Sequence, residues 1–273
     1  MIYLNKSVTD IVQLGREKHN EYVNASPFPN IVIDNFFDEE MLEKVAGEFP
    51  DLSKLKDVKA YDNQNEKKLE GKGERHFSET GRLLAHYLNS EPVLQFLQEL
   101  TGIKETLLPD PYFDGGGYHE IKPGGLLKVH ADFNKHKDTM LDRRINLLVY
   151  LNKDWEESFG GHFELWDKDM TAAQRKVLPI FNRVAIFSTT DYSFHGHPNP
   201  LTCPADRSRK SMALYYYTNG RPKSELNPKA HATLFKGRAG VKDDVSKEPV
   251  TFKDIVVDLV PPILVKAAKK ILR

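Results

Sequence analysis

A chain of 273 residues with 40% hydrophobic and 10% aromatic content is long enough to bury a sizeable core. Lys plus Arg and Asp plus Glu each total 39, so the formal net charge is zero and no global field draws the protein to nucleic acid or anionic lipid. The single cysteine, Cys203, excludes an intrachain disulfide and a Cys-rich zinc site, and it fits a reducing compartment.

The opening MIYLNKSVTDIVQLGREKHN lacks the basic stretch, apolar core and small-residue cleavage site of a secretory signal, and no apolar run reaches membrane-spanning length. A cytoplasmic protein is expected. After an early polar helix, FPNIVIDNFFDEEMLEKVAGEFP reads as a short strand and then a helix capped by Asp38, with Met41, Leu42, Val45 and Phe49 as its apolar face. Residues 54–75 are charged, nearly free of large apolar side chains and carry Gly71 and Gly73, so a plain solvated loop is expected, with a flexible flap as the alternative. Leu83, Leu84, Tyr87 and Leu88, then Val93, Leu94, Phe96, Leu97 and Leu100, recur at helical spacing in a stretch ended by Thr101 and Gly102.

From about 107 to 218 the texture changes to short β-rich segments separated by Gly, Pro, Asn and Asp, which signals an all-β sandwich or barrel. The candidate strands are YHEIK, LLKVHAD, INLLVYLN, GHFELWD, RVAIFST and KSMALYYYT. Beyond Arg221 the chain turns polar, and it ends in a basic, helix-prone IVVDLVPPILVKAAKKILR broken by Pro261 and Pro262. Docking on the domain is the expected role of this tail.

Within LLKVHADF, His130 and Asp132 stand at i and i+2, so a strand presents both side chains on one face. A lone His-x-Asp is common by chance and needs a third partner. FSTTDYSFHGHP offers His195 or His197, and spacing alone leaves that choice open. Two imidazoles and one carboxylate on one face of an octahedral ion leave three positions free, which suits Fe(II): two for a chelating oxo acid and one for dioxygen. An oxo acid with a distal carboxylate needs a cation, and a guanidinium is the best fit. In RSRKSMALYYYT, alternation puts Arg209, Ser211, Ala213 and Tyr215 on one face, so Arg209 and Ser211 can reach one carboxylate while Lys210 faces away. Arg207 lies in a polar lead-in and is expected at the surface. Trp155, Trp166 and the run Tyr215 to Tyr217 are expected mainly in the core, and His162 with Glu164 in packing rather than at a second metal.

Over roughly residues 110–218 the chain resembles the prolyl-hydroxylase-like branch of the 2-oxoglutarate/Fe(II) oxygenase superfamily, which includes the oxygen-sensing prolyl hydroxylases. LLVYLNKDW, SFGGHFELW and PIFNRVAIFS, then a distal His and an Arg on the last strand, follow the family's order and approximate spacing. Arg183 precedes His195 by twelve residues, as in the family pattern, and this selects His195 over His197. The resemblance implies iron held by His130, Asp132 and His195, with Tyr150 and Arg209 on the distal carboxylate of 2-oxoglutarate. Ascorbate is a candidate reductant. Asp132 argues against a halogenase, whose relatives lack this carboxylate. Two departures stand out: NPLTCPADRS lengthens the path from His195 to Arg209, and GGGYHEIKPGGLLKV differs from the family's tyrosine-bearing entry strand. Tyr118 and His119 are candidates for the substrate side there, with core or rim roles equally open.

The expected fold is α+β, mainly β: a double-stranded β-helix, or jelly roll, with supporting N-terminal helices and a C-terminal helical tail. One dioxygenase domain is expected, divided into N-terminal support (1–106), catalytic core (107–218) and a C-terminal extension (219–273). The expected function is hydroxylation of a prolyl or peptidyl substrate or a small metabolite, forming succinate and CO2, with substrate and dioxygen as partners and no nucleic acid. A saccharide or natural-product intermediate is the alternative substrate. A cupin-like metal enzyme working without an oxo acid, or a non-catalytic metal-binding module, are the readings of another class.

Overall fold

Alternating burial along short strands organises the middle of the chain in this computed structural model, which describes residues 3–222, 225, 230–242 and 244–245. In chain order the strands are β1 (Asn30–Asp34), β2 (Lys59–Asp62), β3 (Glu66–Gly71), β4 (Leu108–Pro109), β5 (Gly117–Ile121), β6 (Leu126–Ala131) and β7 (Asp142–Tyr150). They continue with β8 (Phe163–Trp166), β9 (Ala173–Val177), β10 (Arg183–Ser188), β11 (His195–His197), β12 (Arg209–Thr218) and β13 (Leu234–Phe235). Their spatial order is β1-β10-β7-β12-β5-β3-β6-β11-β8-β9, with β2 added to β3, β4 to β12 and β13 to β6. The pairing is antiparallel throughout and the sheet curls into a nearly closed barrel, the expected jelly roll.

The sheet divides its side chains by parity. Ile145, Leu147 and Val149 of β7, Val184 and Ile186 of β10, and Met212, Leu214 and Tyr216 of β12 point outward into the main core. The intervening Leu148, Tyr150, Ala185, Phe187, Ala213 and Tyr215 belong to clusters inside the barrel. Helices α1 (Ile11–Val23), α2 (Glu39–Gly47), α3 (Glu79–Leu88) and α4 (Glu91–Thr101) supply the other half of the main core through residues such as Leu42, Leu84, Phe96 and Leu97, all fully buried. Each such side chain contributes about 1.5–3 kcal/mol of burial energy. The Asp10 carboxylate accepts from the backbone N–H groups of Val12 and Gln13 to start α1, and Asp38 accepts from Met41 N to start α2. The apolar stretch after residue 80 is two helices rather than one, broken at Asn89 and Ser90. The second ends where Gly102 takes the left-handed conformation at φ 72°.

Residues 54–75 are not a plain loop. They contain the β2–β3 hairpin: β2 pairs along one edge of β3, while β5 and β6 share the other, β6 at Glu66 and Lys67 and β5 at Leu69 to Gly71, so β3 bridges these two strands. Its composition is poor in strand formers, and pairing on both edges outweighs that local preference. The proline-broken C-terminal tail lies outside the described residues.

Gly117 shows how tightly this junction is built. Its φ is +96°, and a Cβ there would sit 2.5 Å from the carbonyl oxygen of Gly71. Gly117→Ala is expected to destabilise the fold by at least about 2 kcal/mol, from backbone strain and overpacking together. Chemical denaturation checks this, and an unchanged midpoint would show that β3 and β5 need no such close approach.

Candidate active site

β6 and β11 are antiparallel neighbours, and their register sets His195 directly opposite His130. Asp132 follows the last residue of β6 on the same face as His130. His130 Nε2 lies 3.6 Å from Asp132 Oδ1, and His195 Nε2 lies 3.4 Å from Asp132 Oδ2. All three side chains are buried, and their donor atoms lie within 4.8 Å of one another. Gly196, between the two histidines of β11, permits this approach: a Cβ there would meet the carbonyl oxygen of Leu127 at 2.7 Å.

Both imidazoles are held by one nitrogen. His130 Nδ1 is 2.8 Å from the carbonyl of Lys128 and His195 Nδ1 is 2.8 Å from that of Ser193. A carbonyl only accepts, so each Nδ1 carries the proton and each Nε2 presents a lone pair to the space beside Asp132. The rings of Phe163 and Phe187 pack against His195, and that of Phe235 against His130. Burial pushes the His195 imidazole down to about 4, so it is neutral at pH 7 and able to ligate. Burial alone would raise the Asp132 carboxyl, but Arg143, His195 and His130 outweigh it and hold it well below the usual carboxylate range. Two neutral imidazoles and a carboxylate converging on one side fit a divalent cation of the Fe(II) type.

Sequence reasoning missed two residues that hold this site. Arg143 Nη2 donates to Asp132 Oδ2 at 3.1 Å and Asn146 Nδ2 donates to the same oxygen at 2.7 Å. Asn146 Oδ1 in turn accepts from Arg143 Nε at 3.0 Å. Oδ1 of Asp132 is the oxygen left for a cation. The Arg143 guanidinium is buried and lies 3.4 Å from the centre of the Tyr215 ring.

Deeper in the barrel, β12 carries Arg209 and Ser211 on its inner face, and Ser211 stands opposite Tyr150 of β7. Arg209 is buried: Nε donates to the Gly161 carbonyl at 2.8 Å and Nη2 lies 3.5 Å from the Tyr150 hydroxyl. Among the described residues no carboxylate pairs with it. A buried guanidinium beside a buried phenol, with no internal anion, is a cradle for an incoming carboxylate.

Residues 116–217 match the family described as the 2OG-Fe(II) oxygenase superfamily. This segment is a 2OG-Fe(II) oxygenase domain. Its cofactors are Fe(II) and 2-oxoglutarate, in keeping with the His130, Asp132 and His195 cluster. The chain is 25% identical over 203 residues to the prolyl 3-hydroxylase OGFOD1 of Mus musculus, an alignment covering 71% of this chain and 34% of that protein, so it spans about a third of that relative. In fold it is similar to a Pseudomonas putida prolyl-4-hydroxylase, with TM-score 0.54 and 14% identity over 76% of this chain and 100% of the other. It is also similar to a Trichoplax adhaerens prolyl hydroxylase in complex with a hypoxia-inducible-factor peptide fragment, with TM-score 0.54 and 18% identity over 76% of this chain and 90% of the other.

In the oxygenase domain the cluster opens into a cavity of about 790 Å³ whose walls include His130, Asp132 and Arg143. The β2–β3 hairpin supplies Lys59, Tyr61, Lys68 and Glu70 to one wall, so the segment expected as a plain loop is part of the site. Phe133 and Tyr215 also line it. Tyr215 therefore faces the chamber, whereas Tyr216, Trp155 and Trp166 pack in cores as expected. Tyr118 is core, against Phe49 and Phe77, and not a substrate-side residue. His119 is on the inner face of β5 opposite Ser211, and burial pushes its imidazole down to about 4. Arg183 sits at the barrel rim, paired with Asp34. Glu164 accepts from Trp166 Nε1, and His162 contacts Glu157. No helix among the described residues is long and apolar enough to cross a membrane.

Proposed function

We propose that the protein is a 2-oxoglutarate-dependent hydroxylase in which His130, Asp132 and His195 hold Fe(II), while Arg209, Tyr150 and Ser211 receive the distal carboxylate of 2-oxoglutarate. The observation that carries this reading is the pairing of two buried features: a His-Asp-His cluster with both Nε2 lone pairs free, and a buried Arg209 with no carboxylate partner among the described residues. A cupin-like enzyme acting without an oxo acid leaves Arg209 without a purpose.

Bound iron and 2-oxoglutarate supply the oxidation: the oxo acid loses CO2 to become succinate, one oxygen atom of dioxygen entering succinate and the other the product hydroxyl. The chain's own residues bind and orient. The Lys128 and Ser193 carbonyls fix both imidazoles, Arg143 and Asn146 hold Asp132 Oδ2, and the surrounding phenylalanines keep bulk water from the ligand rings. A buried Cys203 and a ferrous centre both suit a reducing, cytoplasmic setting.

For the primary substrate we assign a prolyl residue in a peptide. The similarity to two prolyl hydroxylases and to a peptide-bound third supports it, and the cavity is of a size to admit a proline with its flanking peptide groups. The wall chemistry favours a second reading, a polar metabolite such as a saccharide. Lys59, Lys68, Lys72, Lys135 and Lys137 line the chamber alongside Glu66, Glu70 and Asp114, a surface suited to hydroxyl and anionic groups.

Succinate release by the Fe(II)-loaded protein with ascorbate, measured across proline-containing peptides and a panel of sugars, tests both readings. Release is expected only with 2-oxoglutarate and a substrate present, and chelation of the metal is expected to abolish it. Turnover of a substrate without any oxo acid would sink the hydroxylase reading in favour of the cupin-like one.

A further inference from the structure

His197 is the second histidine of the HGH triplet, and it takes no part in the His-Asp-His cluster. It is buried, at 4% exposure, and neither ring nitrogen has a hydrogen-bond partner among the described residues. An imidazole sealed from water with both nitrogens unmatched is costly to bury. Such a group marks a place where a ligand completes the bonding. Its surroundings define that ligand. After burial itself, Arg209 exerts the largest charge effect on the ring, followed by Lys68 and then His130. The ring is therefore in a positive field to which the buried guanidinium contributes most. Its strand neighbour on β6 is Leu127, which offers no polar atom from its side chain.

We infer that His197 is a further donor to the distal carboxylate of 2-oxoglutarate, acting with Arg209, Tyr150 and Ser211. This rests on the reading of Arg209 as the carboxylate anchor and deepens it. Arg209 commits Nε to the Gly161 carbonyl, so it cannot present its whole fork to the ligand. A carboxylate has lone pairs for several donors, and an imidazole in either protonation state carries at least one N–H to give. The consequence is selectivity: an oxo acid lacking the distal carboxylate would leave both Arg209 and His197 unpaired.

The test uses the full chain loaded with nickel(II), which is redox-silent, and calorimetric titration with 2-oxoglutarate and with 2-oxovalerate. The second acid keeps the chelating end and the chain length but ends in a methyl group. His197→Leu is expected to weaken 2-oxoglutarate binding by about 10- to 100-fold, the range of a hydrogen bond to a charged group. It is expected to leave nickel stoichiometry and 2-oxovalerate affinity unchanged, with thermal unfolding no lower than in the wild type. His197→Asn or His197→Gln, which keep an N–H donor, should recover part of the loss. Wild-type affinity in His197→Leu, an equal loss for both acids, or loss of nickel would each overturn the inference while leaving the hydroxylase reading in place. A wild-type protein that binds nickel but no 2-oxoglutarate would overturn both.

Discussion

Asp132→Ala is expected to abolish stable iron binding and to lower succinate formation by at least about 100-fold, beyond the 10- to 100-fold that loss of a supporting partner typically costs. Asp132 is the only anionic donor in the cluster, so the substitution removes both a ligand and the charge that attracts the cation. It also strands Arg143. That guanidinium is 1% exposed and has Asp132 as its carboxylate partner, and truncating one side of a buried pair costs about 3–5 kcal/mol. Asp132→Asn separates the two effects, because an amide oxygen can still accept from Arg143 and Asn146 while the charge is gone. Iron content after anaerobic loading should fall in both variants, whereas the metal-free protein should be markedly destabilised in Asp132→Ala and much less in Asp132→Asn. Full iron occupancy in Asp132→Ala would remove Asp132 from the ligand set.

The asymmetry between Asp132 and its supports explains what the sequence could and could not disclose. His130 and Asp132 are legible because the i, i+2 spacing works within a single strand, and Arg209 and Ser211 are legible for the same reason on β12. Asn146 follows from parity as well: counting back by twos from Tyr150 passes through Leu148 to Asn146, all inward on β7. Arg143 breaks that parity. The β7–β12 ladder shifts register between Tyr216 and Tyr217, so Tyr217 stands opposite Arg143 rather than Arg144, and a residue expected to point outward reaches the site. Such a shift leaves no signature in composition. The β2–β3 hairpin was hidden for a different reason. Its lysines and glutamates describe a surface loop, and only the pairing of β3 with β5 and β6 makes it part of the barrel and brings Lys68 and Tyr61 to the chamber. The pairing of His195 with His130 is likewise a property of the folded sheet, which is why spacing alone could not separate His195 from His197.

Arg209→Leu is the counterpart at the other end of the co-substrate, and its expected effect is on 2-oxoglutarate rather than on metal. The guanidinium is buried, and removing one side of a buried charged pair costs about 2–5 kcal/mol of binding. That corresponds to a loss of affinity of about 30- to 4,000-fold. Iron stoichiometry should be unchanged, because the hydrogen-bond partners of Arg209 are Gly161 and Tyr150 and not the three cluster residues. Loss of the bond to the Gly161 carbonyl should lower stability by only about 1 kcal/mol. Arg209→Lys should recover part of the affinity, since an ammonium supplies the charge without the planar fork. Tyr150→Phe removes one neutral donor and should cost about tenfold, clearly less than Arg209→Leu. The ordering Arg209→Leu, then Tyr150→Phe, with metal binding intact in both, distinguishes a carboxylate anchor from a residue that merely packs the barrel. Equal losses in the two variants, or wild-type 2-oxoglutarate affinity in Arg209→Leu, would move the anchor to another cation, such as Lys68 on the cavity wall.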